Sequence, residues 1–490
     1  MHERWRWTPA RIASIWRRRM SRQAPRHRRV RLACWSSVRI EAGELRRSML
    51  MMMFRQWGAR ALYVVVIAAF GVFGNAAVGA PADGDLQMVI VLSRHGVRSP
   101  TAKPGAQDVY SSKPWPKWSV EPGYLTPHGK QLMTMMGGWY RAYYADAGLL
   151  PANGCLNPAS IYVTADDEER TLESAHGLVD GFDAHCALDV HAAPKRGSDA
   201  LFSHDFSNAS DADRELAVAA VLGRTGNDPA HLAAANAGLL ADMQSVLLGC
   251  APGSCTAAQT NGKKVLMDQD SSIAAASGDG LISIKSPLHN ASTFAENFFL
   301  EYVEGMPMSD VAWGNITPIK LGQLLALHSS YSDVSERTPA VAKAYAGNLA
   351  TRIAATLQQS TQSKPVTGAI GKPGAKFMFL VGHDTNIETL AGLLDLHWML
   401  PEQPVDPTFT GGALVFELRR VAKTRQYTVR AYYVSQSLEQ MRQSTPLDLQ
   451  HSPEQAPVFI PGCSRSTPGY DCPLDRFVDL VSRITSKSSN

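Results

Sequence analysis

Residues 89–101 read Val-Ile-Val-Leu-Ser-Arg-His-Gly-Val-Arg-Ser-Pro-Thr, and they constrain the chain more than any other stretch. A short apolar run, residues 88–92, empties into Arg94, His95 and Arg98. Two guanidiniums beside an imidazole cannot close a core, because they repel one another and any protonated ring. An anion between them reconciles the set. Arginine suits a tetrahedral oxyanion because its planar fork donates two parallel hydrogen bonds. In open α/β sheets ligands sit beyond the carboxyl ends of strands, which is where these residues fall if residues 86–93 are a strand.

Two further buried strands end the same way. Residues 160–164 run into Ala-Asp-Asp-Glu-Glu-Arg-Thr, and a helix is expected from about Thr171 to Cys186. Arg170 thus reaches a loop-to-helix junction, where helix N-termini favour anions. Taken alone, Arg170 reads first as an ion-pair partner of Asp166 or Glu173. Residues 376–381 end in Gly382-His383-Asp384-Thr385-Asn386, followed by a helix through Leu394. Residues 413–418 and 427–433 read as two antiparallel strands of the same sheet. Residues 127–144 carry Leu132, Met135, Met136, Trp139 and Tyr143 at helical spacing, a core stripe. Residues 195–285 turn rich in Ala, Ser, Asn and Asp, with helical stretches near 213–223 and 229–249 and little pattern over 251–290. Helices follow at 292–305, 317–332 and 338–359. This predicts an α/β fold split in sequence, with parts at 83–210 and 341–490 around a helical cap at 211–340.

The 490 residues carry a formal charge of +4, but that charge is uneven. Residues 1–82 hold 16 of the 48 Lys and Arg and 3 of the 44 Asp and Glu, leaving 32 basic against 41 acidic, a net of −9 for the rest. Nucleic-acid binding by the main body is therefore not expected. Residues 1–50 read as a basic upstream extension outside the functional protein. Residues 51–82 read as a signal peptide. Met51, Met52 and Met53 are candidate starts, Arg55 and Arg60 form a positive region, and residues 61–74 are an uncharged apolar run too short to span a membrane comfortably. Ala80-Pro81-Ala82 offers a cleavage site. Six cysteines remain beyond this front end, and local disulfides Cys155–Cys186, Cys250–Cys255 and Cys463–Cys472 are the simple reading for an exported chain. The other reading is free core thiols; a zinc site needs tighter Cys/His clusters.

The chemistry that wants these strand ends together is phosphoryl transfer to a histidine. His95 would attack phosphorus through a ring nitrogen. Arg94, Arg98, Arg170 and His383 would hold the non-bridging oxygens. Asp384 would protonate the leaving group and then activate water. Burial or the phosphate should raise its pKa, while the arginines pull it down. No metal or cofactor is called for, since cationic side chains supply the charge. The acidic run 166–169 reads as a solvated or helix-N-terminal face. A mutase-like phosphoryl transferase and an inactive phosphoanion-binding protein are the competing readings.

Arg94-His95-Gly96-Val97-Arg98-Ser99-Pro100-Thr101 resembles the RHGxRxP signature of histidine acid phosphatases, and His383-Asp384 resembles their HD motif. Residues 167–171 resemble the segment that delivers their third phosphate-binding arginine. Gly382 to Asn386, Trp398-Met399-Leu400-Pro401, residues 411–417 and 296–307, and the spacing of the cysteine pairs are similar to the bacterial periplasmic phytase and glucose-1-phosphatase branch. The resemblance covers roughly residues 85–480 and is weakest over 190–285. It implies a phosphoglycerate-mutase-like mixed-sheet domain with a smaller inserted helical domain. It also implies a monomeric periplasmic or secreted acid phosphatase, detached from the membrane after signal cleavage, acting on a small phosphorylated substrate such as phytate or a sugar phosphate. Thr101, Lys103, Glu296 and Thr385 are implied as further substrate contacts. In phytases of this branch a lysine directly follows Pro-Thr; here Ala102 stands there, with Lys103 one place later.

Overall fold

The computed structural model describes residues 85–486, apart from 187, 194–198, 203–204, 252 and 363. The upstream extension and signal segment lie outside the described residues. Strand β1 (Asp85–Arg94) is the middle of an eight-stranded mixed sheet. It pairs in parallel with β6 (Phe377–Gly382), and β6 in turn with β2 (Ile161–Ala165), which is flanked by the two-residue β3 (Val190–His191). On its other side β1 runs antiparallel to β7 (Ala413–Arg420), and β7 to β8 (Tyr427–Ser435). Two short strands, β9 (Glu454–Val458) and β10 (Cys472–Pro473), share the outer edge of β8.

Both faces of β1 are covered, which is why its sequence is continuously apolar rather than alternating. Met88, Ile90 and Leu92 join one core with α7 (Pro339–Gln359), α8 (Asp384–Leu394) and α10 (Leu474–Thr485). Val89 and Val91 join another with α1 (Pro127–Asp146) and α2 (Glu169–Phe182). Thr126 caps α1 by accepting the Gly129 N–H at 2.9 Å, with Pro127 in the first turn. Helix α2 starts two residues earlier than expected and stops four residues short of Cys186. The structure pairs Cys155 with Cys186, Cys250 with Cys255 and Cys463 with Cys472, at Cα separations of 5.6, 5.2 and 5.1 Å.

A third core lies among α3 (Asp211–Arg224), α4 (Ala237–Leu248), α5 (Pro287–Val303) and α6 (Pro318–Ser335). Val97, Phe409 and Met441, the last on the short α9 (Leu438–Gln443), also enter it. Between α4 and α5, where little pattern was read, stands an antiparallel hairpin of β4 (Ser272–Ala275) and β5 (Ile282–Lys285). Within α5, Glu301 is wholly buried and accepts the Ala312 N–H at 2.8 Å; its other oxygen has no partner among the described residues. That bond steadies a turn in which Ala312, Trp313 and Gly314 all have positive φ (46°, 56° and 77°). A left-handed non-glycine residue costs about 1–2 kcal/mol.

Burial pushes the Glu301 carboxyl up to about 8, with the Ala312 N–H acting the other way. The folded protein therefore keeps a proton that the unfolded chain releases near pH 4.5. Glu301 costs nothing below that pH and erodes stability as pH climbs toward 8. Glu301→Gln should match the parent near pH 4.5 and be more stable by a few kcal/mol at pH 8. Urea denaturation at the two pH values checks this; an equal difference at both would refute it.

Candidate active site

Because β1, β6 and β2 run parallel, their carboxyl ends open on one edge. Arg94 stands opposite Gly382, and Ala165 opposite Val381. The start of β7 reaches the same edge and pins the turn after β1. The Arg94 N–H donates to Gly412 O, the His95 N–H to Gly382 O and the Gly411 N–H to His95 O, each at 2.9 Å. Ser174 on α2 accepts the Gly96 N–H at 2.8 Å and donates to Arg170 O at 2.5 Å. The loops carrying His95 and Arg170 are thus coupled through one hydroxyl.

The three arginines are held differently. Arg94 is 1% exposed. It donates through Nη1 to Thr408 O at 2.7 Å and meets Glu296 and Asp384 through Nη2, the latter at 2.8 Å. Burial opposes its charge, but Asp384 and Glu296 together outweigh that and keep it firmly protonated. Arg98 donates through Nη1 to Ser99 O at 3.0 Å and has no carboxylate ion pair among the described residues. Burial, with Arg94 adding and Glu296 opposing, pushes it down to about 10, so it stays charged. Arg170 reaches Glu168 at 3.4 Å and His383 Nδ1 at 3.5 Å, while Glu173 is engaged by Lys130. The Nε atoms of Arg94, Arg98 and Arg170 are all buried without a partner among the described residues. Buried donors are nearly always satisfied in folded proteins. Three such donors around one histidine fit the oxygens of a tetrahedral anion.

His95 Nδ1 lies 2.8 Å from Gly96 O. A carbonyl can only accept, so the proton sits on Nδ1 and the lone pair on Nε2. Burial, and then Arg94, Arg98, Arg170 and His383, hold the ring well below the usual histidine range. His383 Nε2 donates to Asp166 at 2.7 Å, and the two imidazoles meet edge to face at 5.7 Å. Asp384 accepts the Thr385 N–H through its other oxygen at 2.8 Å. Burial alone would raise its pKa, but Arg94, His328, His95 and Arg98 drive it far below the carboxylate range. Of the two opposed influences anticipated from the sequence, the arginines prevail when no anion is bound.

Arg94, His95, Arg98, Arg170, His383 and Asp384 therefore come together at one sheet edge. Glu296 is there as the ion-pair partner of Arg94, and Thr385 flanks Asp384. Thr101 and Lys103 are exposed on the following loop. Three participants went unread in the sequence. Asp166 belongs to an acidic run that looked solvated, yet it is 5% exposed and orients His383. Its place one residue past β2, like His95 past β1, was the available signal. Ser174 and Thr408 left no sequence trace. Among the described residues no cluster of three or more His, Cys, Asp or Glu could hold a metal ion, and no helix is long and apolar enough to cross a membrane.

Such a fold and site define a phosphoanion-handling enzyme built around a histidine. The family model of the histidine phosphatase superfamily, branch 2, matches residues 85–434. The chain is 31% identical over 404 residues to the phytase AppA of Escherichia coli (strain K12), covering 81% of this chain and 91% of that one. It is 28% identical over 404 residues to the glucose-1-phosphatase of Salmonella typhimurium, covering 82% and 93%. The solved structure of Hafnia alvei phytase with myo-inositol hexakis sulphate superimposes with a TM-score of 0.73 at 36% identity, covering 83% of this chain and 98% of that one. The chain belongs to the histidine acid phosphatases and is a phosphoric monoester hydrolase.

A neutral His95 with its proton on Nδ1 is directly observable. Nitrogen-detected NMR should show one histidine that stays neutral in this tautomer at a pH where an ordinary ring is charged. Its signals should vanish in His95→Asn. A ring titrating near 6.5 would contradict the electrostatics described.

Proposed function

We propose that the protein is an exported phosphatase that cleaves phosphate monoesters through a phosphohistidine intermediate. The observation that carries this reading is the Nε2 lone pair of His95, freed by the Nδ1–H bond to Gly96 and ringed by three arginines with unpartnered Nε donors. Nε2 attacks phosphorus and the bond to the ester oxygen breaks. Arg94, Arg98 and Arg170 hold the non-bridging oxygens as charge gathers on them. His383, aimed by Asp166, completes the ring. The departing alkoxide takes its proton from Asp384. Water then gives a proton to Asp384 and attacks phosphorus, and the phosphorus–nitrogen bond breaks to release phosphate.

Asp384 is a carboxylate when no anion is bound, so it must first acquire a proton. A bound phosphate cancels the positive field that suppresses its pKa, and at acid pH the ester arrives partly as a monoanion that carries one. An acidic optimum follows. His95, meanwhile, remains unprotonated at the same pH because its own field is cationic. The charge pattern and apolar run of residues 51–82 support export, with residues 1–50 outside the functional protein and 211–340 acting as a cap over a monomeric enzyme.

Hydrolysis of p-nitrophenyl phosphate with EDTA present at pH 3–7 should be fastest on the acid side. His95→Ala should lose at least about 1,000-fold of it. Asp384→Ala should cost roughly 100–10,000-fold with an alkyl phosphate but far less with the nitrophenyl ester, whose leaving group needs no proton. Equal losses on both esters would remove the proton-donor role. Secreted material should begin within a few residues of position 83; a mature chain that retains residues 1–50 would overturn export through this signal.

A further inference from the structure

The two helices that supply carboxylates to Arg94 each carry a second polar group one turn away. On α5, Ser292 stands four residues before Glu296; on α8, Glu388 stands four residues after Asp384. Residues four apart share a helix face, about one 5.4 Å turn from each other. The outer layer is Glu296, Arg94 and Asp384. The inner layer is Ser292, His328 and Glu388, with His328 supplied by α6. Ser292 Oγ lies 3.0 Å from His328 Nδ1, and Glu388 Oε1 lies 3.8 Å from His328 Nε2. In each layer a basic group sits between oxygens from α5 and α8.

The layers are joined. Thr408 donates its hydroxyl to Glu388 at 2.8 Å and accepts Arg94 Nη1 on its carbonyl at 2.7 Å. A cavity of about 10 Å³ is bordered by Arg94, Glu296, Thr408 and His328. His328 therefore faces the same small space as the guanidinium that holds Asp384.

The ring is not explained by hydrogen bonding alone. Its Nε2 is buried with no hydrogen-bond partner among the described residues, the approach to Glu388 being too long for one. A buried polar atom left so calls for a reason. Both neighbours of the ring can accept, Ser292 through its hydroxyl oxygen and Glu388 through its carboxylate, so the ring can carry both protons. A charge acts across a gap that a hydrogen bond does not.

Burial alone would raise the Asp384 carboxyl. Of the charges that overcome burial, Arg94 comes first and His328 second, ahead of His95 and Arg98. Glu388 is pushed up by burial, with His328 opposing and Asp384 adding. Glu336, just past α6, is pushed up to about 8 by burial and then by Glu388 and Asp384. His328 thus works against three acids, while Arg94 is shared with Glu296.

We propose that His328 is a positioning residue for the proton of Asp384: its positive charge, set behind that carboxyl and held between Ser292 and Glu388, governs how readily Asp384 keeps the proton it hands to the leaving group. The use made of the proton rests on the hydrolase reading above; the coupling of His328 to Asp384 does not.

Removing the charge leaves Asp384 less suppressed, so it keeps its proton to higher pH. In His328→Gln the alkaline limb of kcat for ethyl phosphate should move up by about one pH unit. The limb for p-nitrophenyl phosphate, whose leaving group needs no proton, should stay within about 0.3 unit of the parent. His328→Lys, which keeps the charge, should keep the parental limb for both esters, and His328→Asn replaces His328→Gln if the latter does not fold. Lost turnover with no displaced limb, equal displacement for both esters, or His328→Lys displaced as far as His328→Gln overturns the proposal. Calorimetry of inorganic phosphate binding, in two buffers of different ionisation enthalpy, counts the protons taken up without turnover. The part of that uptake abolished in Asp384→Asn should move up by about one pH unit in His328→Gln. That displacement supports the proposal even if no ester is hydrolysed, and an unmoved uptake defeats it whatever the esters do.

Discussion

Arg94 is the charge on which the rest of the site depends. It terminates the central strand inside the protein, where an isolated guanidinium would cost several kcal/mol. Its partners come from three separate parts of the chain: Glu296 on α5, Asp384 on α8 and the Thr408 carbonyl before β7. The helical region, the end of β6 and the approach to β7 are thus tied to one side chain. Thr408 also donates to buried Glu388 at 2.8 Å, one helical turn beyond Asp384. The anchor is itself anchored.

The compensation of Arg94 defines what the other two arginines can do. Among the described residues Arg98 has no carboxylate ion pair, and Arg170 has a long contact to Glu168. Positive charge in this ring therefore exceeds what the local acids cancel. The same surplus drives two titrations in the same sense. It expels a proton from His95, leaving a nucleophile, and it expels a proton from Asp384, leaving a carboxylate. Only the first suits attack on phosphorus. In the proposed mechanism the charge of the incoming ester would correct the second, so that a competent proton donor would form only when there is a substrate to receive the proton.

The strands that end in chemistry were legible because a buried strand announces itself by composition, and because Arg94, His95, Arg170 and His383 are implausible core residues. The two antiparallel strands and the long helices were legible for the ordinary reason of periodicity. The β4–β5 hairpin was not. Its strands are four residues each, and six of the eight residues are exposed or only partly buried, so they carry too little apolar signal. Asp166 was misread because an acidic run looks the same whether it faces water or an imidazole. Glu296, carried over by resemblance as a substrate contact, turns its carboxylate to Arg94, a distance in sequence of about two hundred residues that no local pattern spans.

The hydrogen bond from His95 Nδ1 goes to the carbonyl of its own neighbour, not to an acid. Many reactive histidines are backed by a carboxylate, which would lend the ring negative charge and make it cling to whatever it has captured. A carbonyl dipole orients the ring without that loan. In the proposed phosphohistidine the imidazole would be an electron-poor cation with a carbonyl behind it, and its bond to phosphorus would be weaker for that. The partner chosen for a single proton would thus bias the proposed intermediate toward letting go, so that phosphate passes to water and is not stored.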